Sequence, residues 1–416
     1  MSGRRFFLNR MNPVHSPALL PQRQERLLLI VLALVQFAHI VDFMIIMPLG
    51  PRLMADFGVT TGRFGALVSA YTFSAGICGF IAAPLLDRFT RRTALMASFS
   101  GFIIGTALCG SAPTHEWLPA ARILAGCFGG ISGSLILACV ADAIPLERRG
   151  AAMGLIMTSF SLASVLGVPL GLLAANHLGW RAPFFILSAF SLLLLALVAV
   201  ALPHVSRAPR AAGESLLSSL KAVFAVPRHW IAFAFTATLM FSGFVIIPYI
   251  SPTLVQNVGL RNEQLPYIYM TGGLCTFVSM PLIGRMGDRF GLFRMFTFTA
   301  LLSIPFMLII THFGRGTLLH VLPLTTLFMV MVSGRVAPGF TLVTSAVEPR
   351  HRAGFLSVNT AFQQIASGLA AMTAAFVLRP SPDGGILHYG TTGWIGVGVL
   401  LLSVFLASRI RKAPRA

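Results

Sequence analysis

"PLLDRFTRR", Pro84 to Arg92, breaks an oily chain with one aspartate and three arginines, and "PLIGRMGDRFGLFR", Pro281 to Arg294, nearly repeats it half a chain later. The setting makes those charges informative. Of the 416 residues, 56% are hydrophobic and only 10% are charged, against about 25% charged in an ordinary soluble domain. Mean hydropathy is +0.82. A water-soluble fold of this length has no use for so much apolar surface, so the bilayer is the solvent this composition expects. The charged stretches then read as loops between membrane-crossing segments.

A hydrocarbon core of about 30 Å needs roughly 20 apolar residues of helix. Twelve such runs are predicted, near 27–50, 64–86, 93–111, 118–141, 152–178, 184–203, 230–251, 265–287, 295–313, 318–346, 354–378 and 392–409. An even number puts both termini on one side. With the termini cytoplasmic, 23 of the 31 lysines and arginines fall in cytoplasmic segments and 6 in the opposite loops, leaving Arg122 and Arg335 inside spans. The positive-inside bias therefore expects a multi-pass membrane protein with cytoplasmic termini. The same distribution argues against nucleic acid as a partner: the formal charge is +19, but the arginines lie in short gaps and not on one face.

The expected organisation is an N-terminal tail (1–26), a six-helix bundle (27–203), a central linker (204–229), a second six-helix bundle (230–409) and a C-terminal tail (410–416). Within the linker, "ESLLSSLKAVFAV" has helical periodicity, as a surface-lying helix or a plain connector. Asp87 and Asp288 are 201 residues apart, and Gly150 and Gly354 are 204 apart. Six crossings preserve orientation, so this is a parallel repeat, an arrangement suited to a transporter with its site at the midplane between halves. The five cysteines fall in apolar runs without metal-ligand spacing and are expected as core- or lipid-facing thiols. No metal and no cofactor are expected. No catalytic motif and no phosphate-binding lysine loop occur, so an enzyme is not expected and energy must come from a gradient.

Asp87 with Arg88, Arg91 and Arg92, and Asp288 with Arg289 and Arg294, put an acid followed by arginines at the end of a helix. Arginine alone would anchor the loop; the repeated aspartate points to gating. Asp142 and Arg148 lie one hairpin away as exchange partners. These stretches resemble the signature loop of the major facilitator superfamily. The family's glycine after the aromatic is Thr90 in the first copy and Gly291 in the second. "ARILAGCFGG" is similar to the family's R-x-x-x-G pattern at Arg122 and Gly126. "ASVLGVPLGLLAANHLGWRAPF" resembles the glycine–proline motif of proton-driven exporters, with Val168 between Gly167 and Pro169. The resemblance covers nearly the whole chain. It implies the two-bundle, twelve-helix all-α membrane fold and a bacterial drug:proton antiporter or sugar-efflux type of exporter.

Asp42 is the only acid well inside a predicted span. On a helix, Gln36, His39, Asp42, Phe43 and Ile46 share an arc of about 120°. A charge there costs on the order of 2.5–3.5 kcal/mol without a partner or water path, so the face must look at protein or cavity. Asp42 reads either as a proton carrier or as an acid held by a fixed hydrogen bond. Arg122 is placed to reach Asp42 or to snorkel outward, and the family resemblance implies proton coupling. Gly126 and Gly129 allow close helix approach. Gly167, Pro169 and Gly171 predict a bend. Arg335, Asn359 and Gln363, with Tyr249, are candidates for the second half of a substrate cavity suited to an anionic or polyhydroxylated molecule. Helix–helix hydrogen bonding is the alternative for the amides. The expected partners are a small-molecule substrate, protons and the lipid bilayer, and the expected state is a monomer. Proton-coupled export is the reading adopted. An uptake symporter and a non-transporting sensor of the same fold are the alternatives.

Overall fold

The computed structural model describes residues 21–86, 89–201, 222–348 and 352–410. Asp87 and Arg88 lie outside them, as do most of the expected tails and linker. The first half contains α1 (Gln22–Ile45), α2 (Gly50–Phe57), α3 (Thr61–Leu86), α4 (Arg91–Gly110), α5 (Trp117–Ala143), α6 (Leu146–Leu162), α7 (Val168–Leu178) and α8 (Ala182–Ala201). The second contains α9 (Pro227–Phe244), α10 (Ile250–Gln256), α11 (Leu265–Phe290), α12 (Leu292–His312), α13 (Leu318–Gly334), α14 (Val336–Ser345), α15 (Arg352–Val377) and α16 (Tyr389–Arg409).

Among the described residues, eleven helical stretches are long and apolar enough to cross a membrane. The eleventh predicted run is α15, 26 residues long. It falls short of that apolarity because it carries Asn359, Gln363 and Gln364. Large apolar side chains stay exposed around the bundle, such as Leu193 at 72% and Leu319 at 80%, as lipid-facing surface requires.

Two predicted spans are interrupted. The run expected at 27–50 stops being regular helix at Ile45, and α2 restarts at Gly50 after Pro48. The run expected at 230–251 leaves α9 at Phe244, passes a 3₁₀ turn over Ile247–Tyr249 and restarts as α10. Pro48 and Pro248 cause both breaks, because proline removes an N–H and crowds the preceding turn. The bend expected near Pro169 takes the form of a π-helical turn, Ala163–Gly167, with the proline at the start of α7. The wider turn accommodates the donor that proline lacks.

The loop pair that opened the sequence has two different local solutions. Gly291 adopts φ 98, which lets α11 turn directly into α12. Thr90 instead caps α4: its Oγ1 accepts the Thr93 N–H at 3.2 Å. The departure from glycine in the first copy is thus a helix cap.

For orientation, the face carrying the start of α1 and the end of α16 is called the tail face, and the opposite one the far face. The two halves are tied toward the far face. Tyr249 Oη donates to Thr61 O at 3.1 Å and Ala371 O at 3.4 Å. Ser69 Oγ donates to Gly368 O at 3.0 Å, and Asn176 Nδ2 to Asn262 O at 3.5 Å. Gly65 permits this closure, since a Cβ there would lie 2.2 Å from Tyr249 Oη. A small hairpin, β1 (Arg379–Pro380) and β2 (Ile386–Leu387), covers the far face, pinned by Asn257 to both polar backbone atoms of Ile386. Among the described residues, no hydrogen bond or ion pair joins the halves at the tail face.

Candidate functional site

α1 brings Asp42 to within one turn of its break, α5 brings Arg122, and the two meet in the interior of the first half. Arg122 Nη1 donates to Asp42 Oδ2 at 2.8 Å and to the Asp42 carbonyl at 3.1 Å. Both side chains are 0% exposed. Thr106, from α4, donates to the other carboxylate oxygen at 3.1 Å. Tyr71, from α3, lays its ring 4.3 Å from the Arg122 guanidinium carbon, a cation–π contact strengthened by burial. Four helices thus converge on one ion pair, each supplying a side chain.

Glycines make that convergence possible. A Cβ on Gly126 would meet Ser74 Oγ at 2.2 Å and Tyr71 O at 2.5 Å. One on Gly129 would meet Tyr71 Oη at 2.6 Å, and one on Gly130 would meet Ala75 O at 2.1 Å. α3 and α5 lie backbone to backbone, so Tyr71 is held beneath Arg122. Gly167 and Gly171 do the same against α1, where a Cβ would strike Val41 at 2.2 Å and Ile45 at 2.7 Å.

The predicted arc of α1 divides. His39, Asp42 and Ile46 are buried, while Gln36 and Phe43 are half-buried. His39 packs edge-on to Phe102 at 4.1 Å and beside Phe99 at 5.5 Å, and neither ring nitrogen bonds a described residue. Phe43 lies between Tyr71, 5.6 Å away, and Phe244 of the second half, 5.8 Å away. It therefore links the ion pair to the junction of the halves.

An ion pair in this setting has a definite chemistry. Two charges are desolvated together and are tolerated because each neutralises the other. Protonating Asp42 would remove one charge, weaken the hold on Arg122 and leave that cation without its partner. The pair is therefore an element with two electrostatic states at the meeting point of α1, α3, α4 and α5.

The candidates in the second half are dispersed. Arg335 sits at the break between α13 and α14, 1% exposed. Asn359 accepts from Thr236 Oγ1 at 2.6 Å, a helix–helix hydrogen bond between α15 and α9. Gln363 is half-buried on α15. No hydrogen bond joins Arg335 to either amide. Tyr249 is 0% exposed at the far-face seam.

Of the candidate gating residues at the tail face, Arg91 pairs with Asp142 at 2.7 Å, the exchange partner expected for that loop. Arg92 donates to the carbonyl of Ala199. Arg148 pairs with Glu25 at 3.0 Å and not with Asp142. Asp288, Arg289 and Arg294 are exposed and form no ion pair with a described residue; Arg289 lies over the Phe290 ring at 5.4 Å. Cys78 and Cys127 meet across α3 and α5 with sulfurs 2.7 Å apart. No group of three or more metal-ligating side chains forms among the described residues.

Thr106 and Tyr71 are the members of the site that sequence reasoning missed. Thr106 is a single polar residue in "GFIIGTALCG", and Tyr71 stands in the polar cluster "SAYTFS". Either could have been flagged as polar groups needing partners inside a span, but nothing local names the partner.

The sequence profile of the Major Facilitator Superfamily matches residues 32–371 and 234–415. The chain belongs to this superfamily. Among curated relatives, the uncharacterized MFS-type transporter YceJ of Bacillus subtilis (strain 168) is 25% identical over 382 residues, 92% of this chain and 95% of that one. A chloramphenicol resistance protein of Streptomyces lividans is 25% identical over 296 residues, 71% of this chain and 74% of its own. Among solved structures, a D-xylose–proton symporter superposes with a TM-score of 0.75 at 16% identity, covering 94% of this chain and 98% of that one. A bacterial homologue of the human lysosomal transporter Spinster, inward-facing and unoccupied, gives 0.72 at 17% identity, covering 95% and 100%. At these identities the structural likeness speaks for the fold. The chain is thus an all-α, multi-pass membrane protein of the transporter superfamily.

Proposed function

We propose that this transporter exports a small molecule, drug-like, sugar-like or an amphipathic metabolite, in exchange for protons, and that Asp42 with Arg122 carries the coupling. The observation that carries this reading is the Asp42–Arg122 pair itself, fully buried, hydrogen-bonded by Thr106 and covered by Tyr71. No other acid among the described residues is fully buried. A proton arriving at Asp42 changes the charge balance where four helices meet, and Phe43 relays that change to Phe244 across the halves. With the termini on the cytoplasmic side of a bacterial inner membrane, the far-face seam serves as the outer gate of an alternating-access cycle. The chloramphenicol resistance relative supports export as the direction. A monomer suffices for this mechanism, with lipid, protons and cargo as the only partners.

A susceptibility screen of a deletion strain against a broad compound panel identifies a cargo. Its uptake into inverted vesicles energised by a pH gradient then tests the coupling. Asp42→Asn should abolish gradient-driven uptake while leaving passive exchange of cargo; wild-type gradient-driven rates in that variant would refute proton coupling through Asp42.

A further inference from the structure

Among the described residues, Arg335 is a buried cation without a counter-ion. Its Nη1 reaches only Ser303 Oγ at 3.4 Å and Met307 Sδ at 3.8 Å, both weak neutral acceptors. Its Nε has no partner, and no ion pair includes it. The second half leaves nothing to supply one. From residue 230 onward the sequence holds four acids, Glu263, Asp288, Glu348 and Asp383. Glu263 and Asp383 are exposed at the far face, Asp288 is exposed at the tail face, and Glu348 pairs with Arg228. The one fully buried acid of the first half already holds Arg122.

The internal repeat shows what is missing. "VDFMIIMP", Val41–Pro48, and "FSGFVIIP", Phe241–Pro248, both lead into the proline break of their half, 200 residues apart. In this register Asp42 corresponds to Ser242, whose hydroxyl is spent on the carbonyl of Leu239 in its own helix at 2.8 Å. An arginine packs against this stretch in both halves, but only the first half supplies the acid. Beside Arg335 the second half instead has a glycine, Gly243. A Cβ placed on Gly243 would find Nη2 at 3.4 Å, Ile247 Cδ1 at 3.5 Å and Val332 Cγ1 at 3.6 Å, all ordinary contacts. Beside Gly243 the guanidinium is thus bordered by the aliphatic carbons of Ile247 and Val332, and the next residue, Phe244, faces Phe43 across the junction of the halves.

We propose that the Arg335 guanidinium, beside Gly243, is an anion subsite, and that the cargo carries a carboxylate on an apolar body. The guanidinium supplies the charge and the donors. Ile247, Val332 and the Phe43–Phe244 pair suit an apolar body and disfavour a heavily hydrated polyanion. Calling the anion cargo rests on the transport function above; its binding at Arg335 does not, so binding is what the experiment reads.

The full chain in lipid nanodiscs is titrated with benzoate, with neutral benzamide, and with sodium chloride at matched ionic strength, and thermal unfolding is followed. Benzoate should raise the melting temperature in a saturable way, and benzamide and chloride should not. Arg335→Met and Gly243→Ala should each weaken benzoate on the order of tenfold or more, Arg335→Lys should retain part of the response, and Asp42→Asn should retain it. No saturable benzoate shift in the wild type, an equal shift with benzamide, or full benzoate binding in a folded Arg335→Met protein would overturn the proposal. A shift produced by chloride alone would mark a halide site and also overturn the carboxylate assignment. Loss of gradient-driven transport in Asp42→Asn with benzoate binding intact separates this proposal from the coupling mechanism.

Discussion

The two halves of this transporter treat a buried arginine in opposite ways. In the first, Arg122 meets Asp42 at 2.8 Å, with Thr106 and Tyr71 completing the site. In the second, Arg335 is nearly as sealed, and among the described residues it meets only a hydroxyl and a thioether. On the proposed mechanism, the contrast divides two tasks between the halves of a duplicated scaffold. A neutralised pair can change state by binding one proton. An unneutralised cation cannot do this usefully, but it can select the charge of what enters. At the tail face Arg91 is held by Asp142, while Asp288 forms no ion pair with a described residue.

The largest expected effect comes from breaking the pair. Arg122→Gln leaves a buried carboxylate alone, and should cost about 3–5 kcal/mol. The variant should show a much lower melting temperature in lipid. Replacing both partners by apolar residues, Asp42→Leu with Arg122→Met, should recover most of that loss in a double-mutant cycle. Recovery no better than additive would mean that the two side chains are not coupled.

The mirror experiment in the second half has the opposite sign. Arg335→Met removes a charge that has no partner to lose, so thermal unfolding should shift upward, by roughly 1–4 kcal/mol on the reasoning for apolar replacement of buried ionic groups. A loss of stability as large as that of Arg122→Gln would show that Arg335 has a partner after all.

Next in size is the backbone approach that holds Tyr71 under Arg122. Gly130→Ala puts a Cβ where Ala75 O stands at 2.1 Å. Parting α3 from α5 should cost about 1–3 kcal/mol, read as a lower melting temperature. Gly133→Ala, one turn away in open space, should change little.

At the seam between halves, Tyr249→Phe deletes the donor to Thr61 O and Ala371 O. A loss of about 1 kcal/mol of closure should raise the labelling of cysteines placed along the far-face seam. The smallest effect belongs to the loops. Asp142→Asn forfeits a partly buried pair worth about 0–1 kcal/mol, and Asp288→Asn should leave the unfolding temperature unchanged.

Much of this was legible in the sequence because membrane helices write their own length. Each of the twelve apolar runs is helical in the structure, eleven of them long and apolar enough to cross a membrane, and the arc of Gln36, His39 and Asp42 singled out the first of them. Asp42 and Arg122 each stood out alone, since a charge inside a span has to be explained. What the chain does not write locally is which helix faces which. Thr106 and Tyr71 are unremarkable on α4 and α3 and gain their roles only through packing allowed by Gly126, Gly129 and Gly130. The meeting of Cys78 with Cys127 is of the same kind. Pro48 and Pro248 were visible, but a hydropathy window averages across a break, so both spans read as continuous. Asn359 reads from sequence as either a cavity amide or a helix–helix link, because an amide satisfies either role equally well, and its Oδ1 accepts from Thr236. Asp87, whose repeat opened the question of gating, lies outside the described residues; its neighbours Arg91 and Arg92 show the loop tied to α5 and α8.

The central claim, that Asp42 exchanges a proton while its surroundings stay dry, can be tested without knowing the cargo. Infrared difference spectra of the protein in lipid, recorded during a pH titration, report the carbonyl stretch of a protonated carboxylic acid in an apolar site. The account predicts one such reversible band, absent from Asp42→Asn and retained in Arg335→Met. A pH response with no Asp42-dependent band, across the range in which the fold survives, would contradict it.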